Sequence, residues 1–214
     1  FSDDEVAQLP IVAPAYEAVD ALYPRLAPDR RRHEALRRVF GAMVADVLGA
    51  SLEELTQLRP TDEEDHLSFL ERLSASPTPE EIVTFTAFAA RPKVAVWWGY
   101  ECLRNLRSDF SGHDRELLEK VASWSTTGDT STRYEIMKAA LFAERRTSAV
   151  QLGLAAGWAG AQIAPNDPVP IAPHRTPRGV NAAVLSALAQ CHLGHRWSHM
   201  AKLRRLAESI FRAY

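Results

Sequence analysis

Hydrophobic positions along most of this chain recur at the three-to-four-residue spacing that turns one face of an α-helix toward a core. Leu36, Val39, Met43, Val44 and Val47 predict one such helix, with Arg31, Arg32, Arg37 and Arg38 turned mostly outward and Gly49 as its stop. A short helical turn around Leu52 to Leu58 ends at Pro60, and Thr61 with Glu64 then forms a capping box for a helix carrying Leu67, Leu70 and Leu73. Further on, Val180, Val184, Leu185 and Leu188 mark a helix with Pro177 in its first turn, and Met200, Leu203, Leu206 and Ile210 mark a closing one. Runs of alternating β-branched residues between tight hairpin turns do not occur. The pattern predicts an all-α fold, a stack of about eight to ten helices.

Part of the pattern repeats. The segment TPEEIVTFTAFAARPKVAVWWG, Thr78 to Gly99, can be laid without a gap on TRYEIMKAALFAERRTSAVQLG, Thr132 to Gly153, with nine of 22 positions identical. In each copy threonine and glutamate three apart would cap a helix start, Ile and Phe six apart would share a side of it, and arginine would close it against the helix dipole. Ala95 with Gly99, and Ala149 with Gly153, would let the second helix of each hairpin approach its neighbours closely. A period of 54 leaves room for a third helix, His113 to Trp124, between the copies. Duplication and convergent packing both account for the likeness. Within the first copy, Trp97 and Trp98 point about 100° apart, which predicts a central helix with a two-tryptophan core; an aromatic pocket for a ligand or stacked bases is the alternative.

The ends of the chain read differently. Pro10, Pro14, Pro24 and Pro28, interspersed with Ile11, Val12, Tyr16, Leu22 and Tyr23, suit an extended arm lying on a body. Residues 1–62 are therefore expected to be an arm and helix packed on an α-helical domain of residues 63–214, because their apolar side chains require cover. A second proline-rich strap, APNDPVPIAPHRTP, has its conformation largely preset, so ordering it costs little. Val169 and Ile171 are expected to anchor it to the body; alternatively Val169, Ile171, His174 and Arg175 present it to a protein partner.

The decapeptide CHLGHRWSHM, residues 191 to 200, holds the densest candidate chemistry. As one continuous helix it would set His192, His195 and His199 on a shared face with three nitrogens for zinc, the arrangement a metal-dependent hydrolase would use. Gly194, however, has the character of a residue just past a helix end, and Ser198 that of an N-cap, which would put His195 and Trp197 in a turn between two helices. No carboxylate stands near to orient the imidazoles or act as a base; the nearest downstream acid is Glu208. The turn is the favoured reading, with no catalytic residue and no cofactor expected. Glycine-rich phosphate loops, nucleophile elbows and Cys-x-x-Cys pairs are likewise missing from the sequence.

Composition narrows the partners. With 25 Lys+Arg against 27 Asp+Glu the net charge is −2, so no global field draws the chain to nucleic acid or an anionic membrane. The least polar run, Ala149 to Ala164, falls short of the roughly 20 residues of a membrane-spanning helix. Cys102 and Cys191 sit in apolar helical context and are expected to be reduced. A cytoplasmic location follows as an expectation. Because the chain opens on Phe1, it is read as a trimmed piece whose targeting segment, if any, lies outside it.

The run SFLERLSASPTPEEIVTFTAFAARPKVAVWWGYECLRNL, the strap PVPIAPHRTPRGVNAAVLSALA and the closing RRLAESIFRAY together resemble an uncharacterised bacterial helical family. A tryptophan pair after a helical hairpin, AVWWG here, is its most specific element, and the likeness spans residues 66 to 214. The resemblance implies a place near type VI secretion genes and no assigned catalytic residue. The expected function is a non-enzymatic accessory or adaptor factor with a protein partner and no small-molecule substrate. The alternatives are the histidine-based hydrolase and an immunity-type inhibitor of a toxin.

Overall fold

A computed structural model describes residues 56–61, 64–107 and 109–213. The arm, the arginine-bearing helix and the boundary near residue 62 lie outside the described residues. Within them the chain is all-α: α1 (His66–Ser74), α2 (Glu81–Ala89), α3 (Pro92–Leu106), α4 (Gly112–Thr127), α5 (Thr130–Leu141), α6 (Ser148–Trp158), α7 (Arg175–Ala189) and α8 (Arg196–Ala213), with a 3₁₀ turn, Leu193–His195, between the last two. Among the described residues β-pairing is limited to an isolated bridge between Gln162 and Pro170.

The helices start and stop for local reasons, and several of these differ from the expected caps. Asp65, not Thr61, caps α1, its carboxylate accepting from the N–H groups of Leu67 and Ser68. Glu64 does accept from the Thr61 N–H at 3.1 Å, but its second task is Arg72, which it holds at 2.6 Å. The second expected box fails similarly. Asp129 caps α5 by accepting from the Thr132 N–H, so Thr132 lies inside the helix, and Glu135 faces Lys120 instead. In both cases an aspartate immediately before the helix takes the cap from the threonine, because a charged acceptor makes the stronger cap bond. The third helix between the copies is present as α4, closed by Gly128 at φ 73°, the left-handed stop that glycine permits.

Helices α3, α6 and α7 form the middle of the stack. Helix α6 packs most extensively against α7 and α5, and α7 against α6, α3 and α2, while α8 closes the far side across α3, α1 and α2. The spacing of Ala95, Trp98, Gly99, Cys102, Leu103 and Leu106 gives α3 one fully covered stripe. At Gly99 a Cβ would meet Leu152 Cδ1 at 2.8 Å, and at Gly153 it would meet Ala140 and Leu117 at 3.1 Å, so the repeated glycine marks a close helix approach in both copies. The copies otherwise diverge. Residues Ile82 to Phe88 of α2 are buried all round, not on one side, because α1, α7 and α8 enclose that helix. Phe142, the counterpart of Phe88, follows the end of α5 and is 80% exposed.

The tryptophan pair divides. Trp98 is fully buried, whereas Trp97, one step around the helix, is 37% exposed, so the core holds one of the two. With Lys93, Val94, Ser125 and Thr126, Trp97 lines an open groove of about 420 Å³. Lys93 is committed there to the Thr126 carbonyl at 3.2 Å. The aromatic rings of Phe69, Phe85 and Phe211 meet near the end of α8, where His66 contributes its Nε2 at 3.1 Å from the Phe211 carbonyl. These contacts fix α8, and with α8 the turn that precedes it.

Candidate functional site

Helix α7 ends at Ala189, five residues before the expected glycine stop. The Gln190 N–H bonds the carbonyls of Ala187 and Leu188, and the Cys191 thiol lies 3.4 Å from the Ala187 carbonyl and 3.5 Å from that of Leu106. Both cysteines are free thiols, and burial pushes the Cys102 thiol well above its ordinary range.

His192 then turns the chain. Its backbone is extended and its Nδ1 accepts the Gly194 N–H at 3.1 Å, so the imidazole starts a short 3₁₀ turn as an aspartate might at an N-cap. The 3₁₀ turn runs directly into α8, whose first residue is Arg196. Gly194 is thus inside the turn and not past a helix end, Ser198 is in the first turn of α8 and not its cap, and Trp197 is helical; His195 is in the turn as expected. The missing signal was the ring nitrogen of His192, since histidine is not among the residues read as caps.

The three imidazoles are neighbours, with ring centroids 5.9 Å apart for His192 and His195 and 6.3 Å for His195 and His199. They differ in setting: His192 and His195 are exposed, and His199 is half-buried. Among the described residues no group of three or more His, Cys, Asp or Glu side chains is placed to hold a metal ion. One nitrogen of His192 is already engaged by Gly194, which removes one of the donors a shared-face zinc site would need.

What the turn does offer is apolar surface. Leu193 is 76% exposed and Trp197 is 75% exposed, four residues apart on consecutive turns. Their neighbour Arg196 is fixed, its guanidinium at 2.6 Å from Glu80 just before α2, so the patch is anchored to the body. Lys202 and Arg205 follow on α8, both exposed.

The strap is organised at its root. Ile171 N–H bonds the Ala161 carbonyl at 3.0 Å, Val169 N–H bonds the Asp167 carboxylate at 3.0 Å, and Asn166 takes φ 66°. Of its two expected anchors only Ile171 is half-buried; Val169 is 63% exposed, because the bridge to Gln162 turns it away from the body. His174 caps the start of α7 without a side-chain bond, and Arg175 stacks its guanidinium 6.0 Å from the Trp158 ring. These two therefore belong to the root of α7, apart from the exposed Val169. Pro177 is the third residue of α7 and buried, as a first-turn proline should be.

Residues 69–211 match a family of unknown function, DUF6931. The chain belongs to this family. The DUF6931 region takes in all of α2 to α7 and nearly all of α8, so both the strap and the Leu193–Trp197 turn lie within it. A shorter stretch is similar to deoxyguanosinetriphosphate triphosphohydrolase-like proteins. One from Cereibacter sphaeroides (strain ATCC 17025) is 52% identical over 65 residues, 30% of this chain and 17% of the relative. Another from Ruegeria sp. (strain TM1040) is 56% identical over 55 residues, 26% and 14% of the two chains, and one from Rhizobium johnstonii is 39% identical over 62 residues, 29% and 15%. The chain thus spans about one sixth of the first of these relatives. No solved structure matches the chain. Among the described residues no helix is long and apolar enough to cross a membrane.

The histidines give the DUF6931 domain a defined acid response. Burial, then the charges of Lys202 and His195, lowers the pKa of His199; burial, then Arg178 and Arg175, lowers that of His174. In both rings Nδ1 is buried without a hydrogen-bond partner, so an imidazolium would place an N–H where nothing accepts it. A folded-state pKa below the unfolded value of about 6.5 means that the unfolded chain binds the proton first. The associated stability is complete above pH 6.5 and declines as pH falls through the folded pKa. The carboxylates of Asp65 and Asp129, lowered by backbone hydrogen bonds, lose theirs only below about pH 4. The melting temperature should therefore drop between pH 7.5 and 5.5, and the drop should shrink in a His174→Gln, His199→Gln double variant; equal slopes in both proteins would refute the assignment.

Proposed function

We propose that this protein is a non-enzymatic accessory or adaptor factor that binds another polypeptide through the turn between α7 and α8. The observation that carries this reading is the exposure of Leu193 and Trp197, 76% and 75%, on a segment pinned by the Arg196–Glu80 pair. Large apolar side chains left in water cost solubility unless something covers them, and tryptophan is among the residues most enriched at interface hot spots. The exposed His192 and His195 rings and the Arg196–Glu80 pair beside it supply the polar rim such a patch requires. A place in a type VI secretion apparatus is the finer form of the proposal and rests on the AVWWG-centred resemblance alone.

A photo-crosslinking amino acid placed at position 197 and activated in the native host tests the reading. A discrete crosslinked partner is expected from position 197 and not from exposed position 116 on α4, and Trp197→Ser should remove the complex while changing stability by less than about 0.5 kcal/mol. Equal labelling from both positions would dispose of the turn as the binding surface.

The matches at about half identity to deoxyguanosinetriphosphate triphosphohydrolase-like proteins favour a second reading, in which the shared stretch serves association with nucleotide-hydrolysing machinery. A stretch covering 17% of such a relative is short for a whole active site. Hydrolysis of dGTP by the purified chain with added divalent metal, abolished by His195→Ala, would instead favour the histidine-based hydrolase.

A further inference from the structure

We propose that the polypeptide docking at Trp197 is an acidic segment of another protein, whose carboxylates lie along the exposed face of α8 opposite Arg205 and Arg212. This rests on the reading of the α7–α8 turn as a polypeptide-binding surface and names the chemistry of what that surface takes.

The register of α8 places the strip. Each residue of an α-helix advances about 100° around the axis. Met200, Leu203, Ala207, Ile210 and Phe211 are buried against the body, which leaves an opposite arc of Ser198, Ala201, Lys202, Arg205, Ser209 and Arg212, every one of them exposed. Trp197 stands at the edge of this arc, with Ala201 about 40°, Arg212 about 60° and Arg205 about 80° around from it. Lys202 is about 140° away and does not share the Trp197 side. Trp197, Ala201, Arg205 and Arg212 therefore form one exposed strip roughly 22 Å long, with the tryptophan at its head and a small side chain leaving room behind it.

The cations of the strip are left unbalanced. Arg196 holds Glu80 at 2.6 Å and Arg204 holds Glu208 at 2.7 Å, whereas Arg205 and Arg212 have neither an ion pair nor a hydrogen bond of their side chains with any described residue. Glu208 is the one acidic residue of α8, and from Pro168 to Ala207 the sequence has none at all, so no carboxylate of this segment is free to answer them. Unpaired arginines beside an exposed tryptophan steer and register a partner of opposite charge. Seven residues, about 10 Å, separate the two, which an acidic helix matches with carboxylates two turns apart. Two guanidinium groups are few for a phosphate backbone, and a net charge of −2 opposes nucleic acid or an anionic bilayer over the rest of the surface, so carboxylates on a polypeptide are the better match.

The test uses the full chain and a labelled synthetic helix of leucine and glutamate, read by fluorescence anisotropy. The comparison probes are the leucine–lysine helix of the same pattern, oligodeoxythymidine, and phosphatidylcholine vesicles with phosphatidylglycerol. The leucine–glutamate helix should bind about tenfold or more tightly than each of these, and about fivefold less tightly when salt rises from roughly 0.05 to 0.5 M. Arg205→Gln with Arg212→Gln, and separately Trp197→Ser, should each weaken it by about tenfold while the thermal melt stays unchanged. No binding of the leucine–glutamate helix, equal binding of its lysine counterpart, tighter binding of the oligonucleotide or the vesicles, or indifference to the arginine substitutions would each overturn the proposal. In the native host, a discrete partner crosslinked from position 197 with a yield that the double glutamine variant leaves unchanged would remove the acidic partner and leave the adaptor reading standing; no partner at position 197 would remove both.

Discussion

Gly179→Val should destabilise the domain by about 3 kcal/mol or more, a large share of the roughly 5–15 kcal/mol that such a domain possesses. At this position in α7 a Cβ would stand 2.8 Å from the Ala155 Cβ, 3.2 Å from its Cα and 3.3 Å from its backbone nitrogen. Two of those three atoms are main chain, so no side-chain rotation relieves the contact and α6 and α7 must separate. They are the most extensively packed pair in the stack. Even Gly179→Ala should lose stability, although alanine is worth about 1 kcal/mol more than glycine in a helix interior. Gly112→Ala is the control, since a Cβ there meets nothing within 4 Å and the exchange should be neutral or slightly stabilising. Urea unfolding measures all three. If Gly179→Val proves insoluble, Gly179→Ala paired with Ala155→Gly still decides the matter, because removing the Ala155 methyl should return part of the loss. A stabilised Gly179→Ala would mean that the two helices do not meet there.

The same contact illustrates how far the sequence could be read. Periodicity located every long helix among the described residues, and the glycine shared by the two related segments pointed to close helix approach at both Gly99 and Gly153. These features depend on near neighbours in the chain, and local spacing records them. What decides whether Phe88 is sealed in and Phe142 exposed is which third and fourth helices arrive from elsewhere: α2 is wrapped by α1, α7 and α8, and α5 lies against α4 and α6. No local pattern encodes that difference. The spacing predicts the turn between α7 and α8, but the capping role expected of Ser198 falls to the His192 imidazole. Trp197 therefore emerged as an exposed helical residue when the spacing placed it in a loop.

The electrostatics of the stack follow the same division. Arg72 with Glu64, Arg204 with Glu208 and Arg196 with Glu80 are ion pairs at or near the surface, where each contributes at most about 1 kcal/mol. Their value lies in placement: Arg204 also reaches Ser74 at 3.2 Å, which fixes α8 against α1, and Arg196 fixes the start of α8 against the start of α2. The turn that carries Leu193 and Trp197 thus runs into a helix fixed to the body at Arg196 and Arg204, and an exposed pair on a rigid base loses little entropy when it is covered.

Arg133 is the exception to the surface rule, and its removal should be the costliest polar substitution in the domain. It is 5% exposed, and among the described residues no carboxylate balances it within hydrogen-bonding distance. Its guanidinium instead donates to the carbonyls of Gly157 at 2.5 Å and Gln162 at 2.8 Å and lies 4.4 Å from the Tyr134 ring centroid. The Gly157 carbonyl belongs to the last turn of α6, where the unpaired carbonyls concentrate the negative end of the helix dipole, so a cation fits there without an acid. Gln162 stands two residues before the strap and bridges to its Pro170, which makes this one side chain the link between α5, α6 and the proline-rich segment. Arg133→Ala should cost about 3 kcal/mol, because two carbonyls lose a charged donor in a buried place. Arg133→Lys should not restore the loss, since an ammonium cannot reproduce the flat group that passes over Gly160. A Cβ at residue 160 would come within 2.5 Å of the guanidinium carbon, so Gly160→Ala should itself cost roughly 2 kcal/mol in the native background. In the Arg133→Ala background that cost should all but vanish, because the group it displaces is gone. A double-mutant cycle by urea unfolding yields the coupling directly. Additive losses would separate Arg133 from Gly160 and with it the strap from the end of α6.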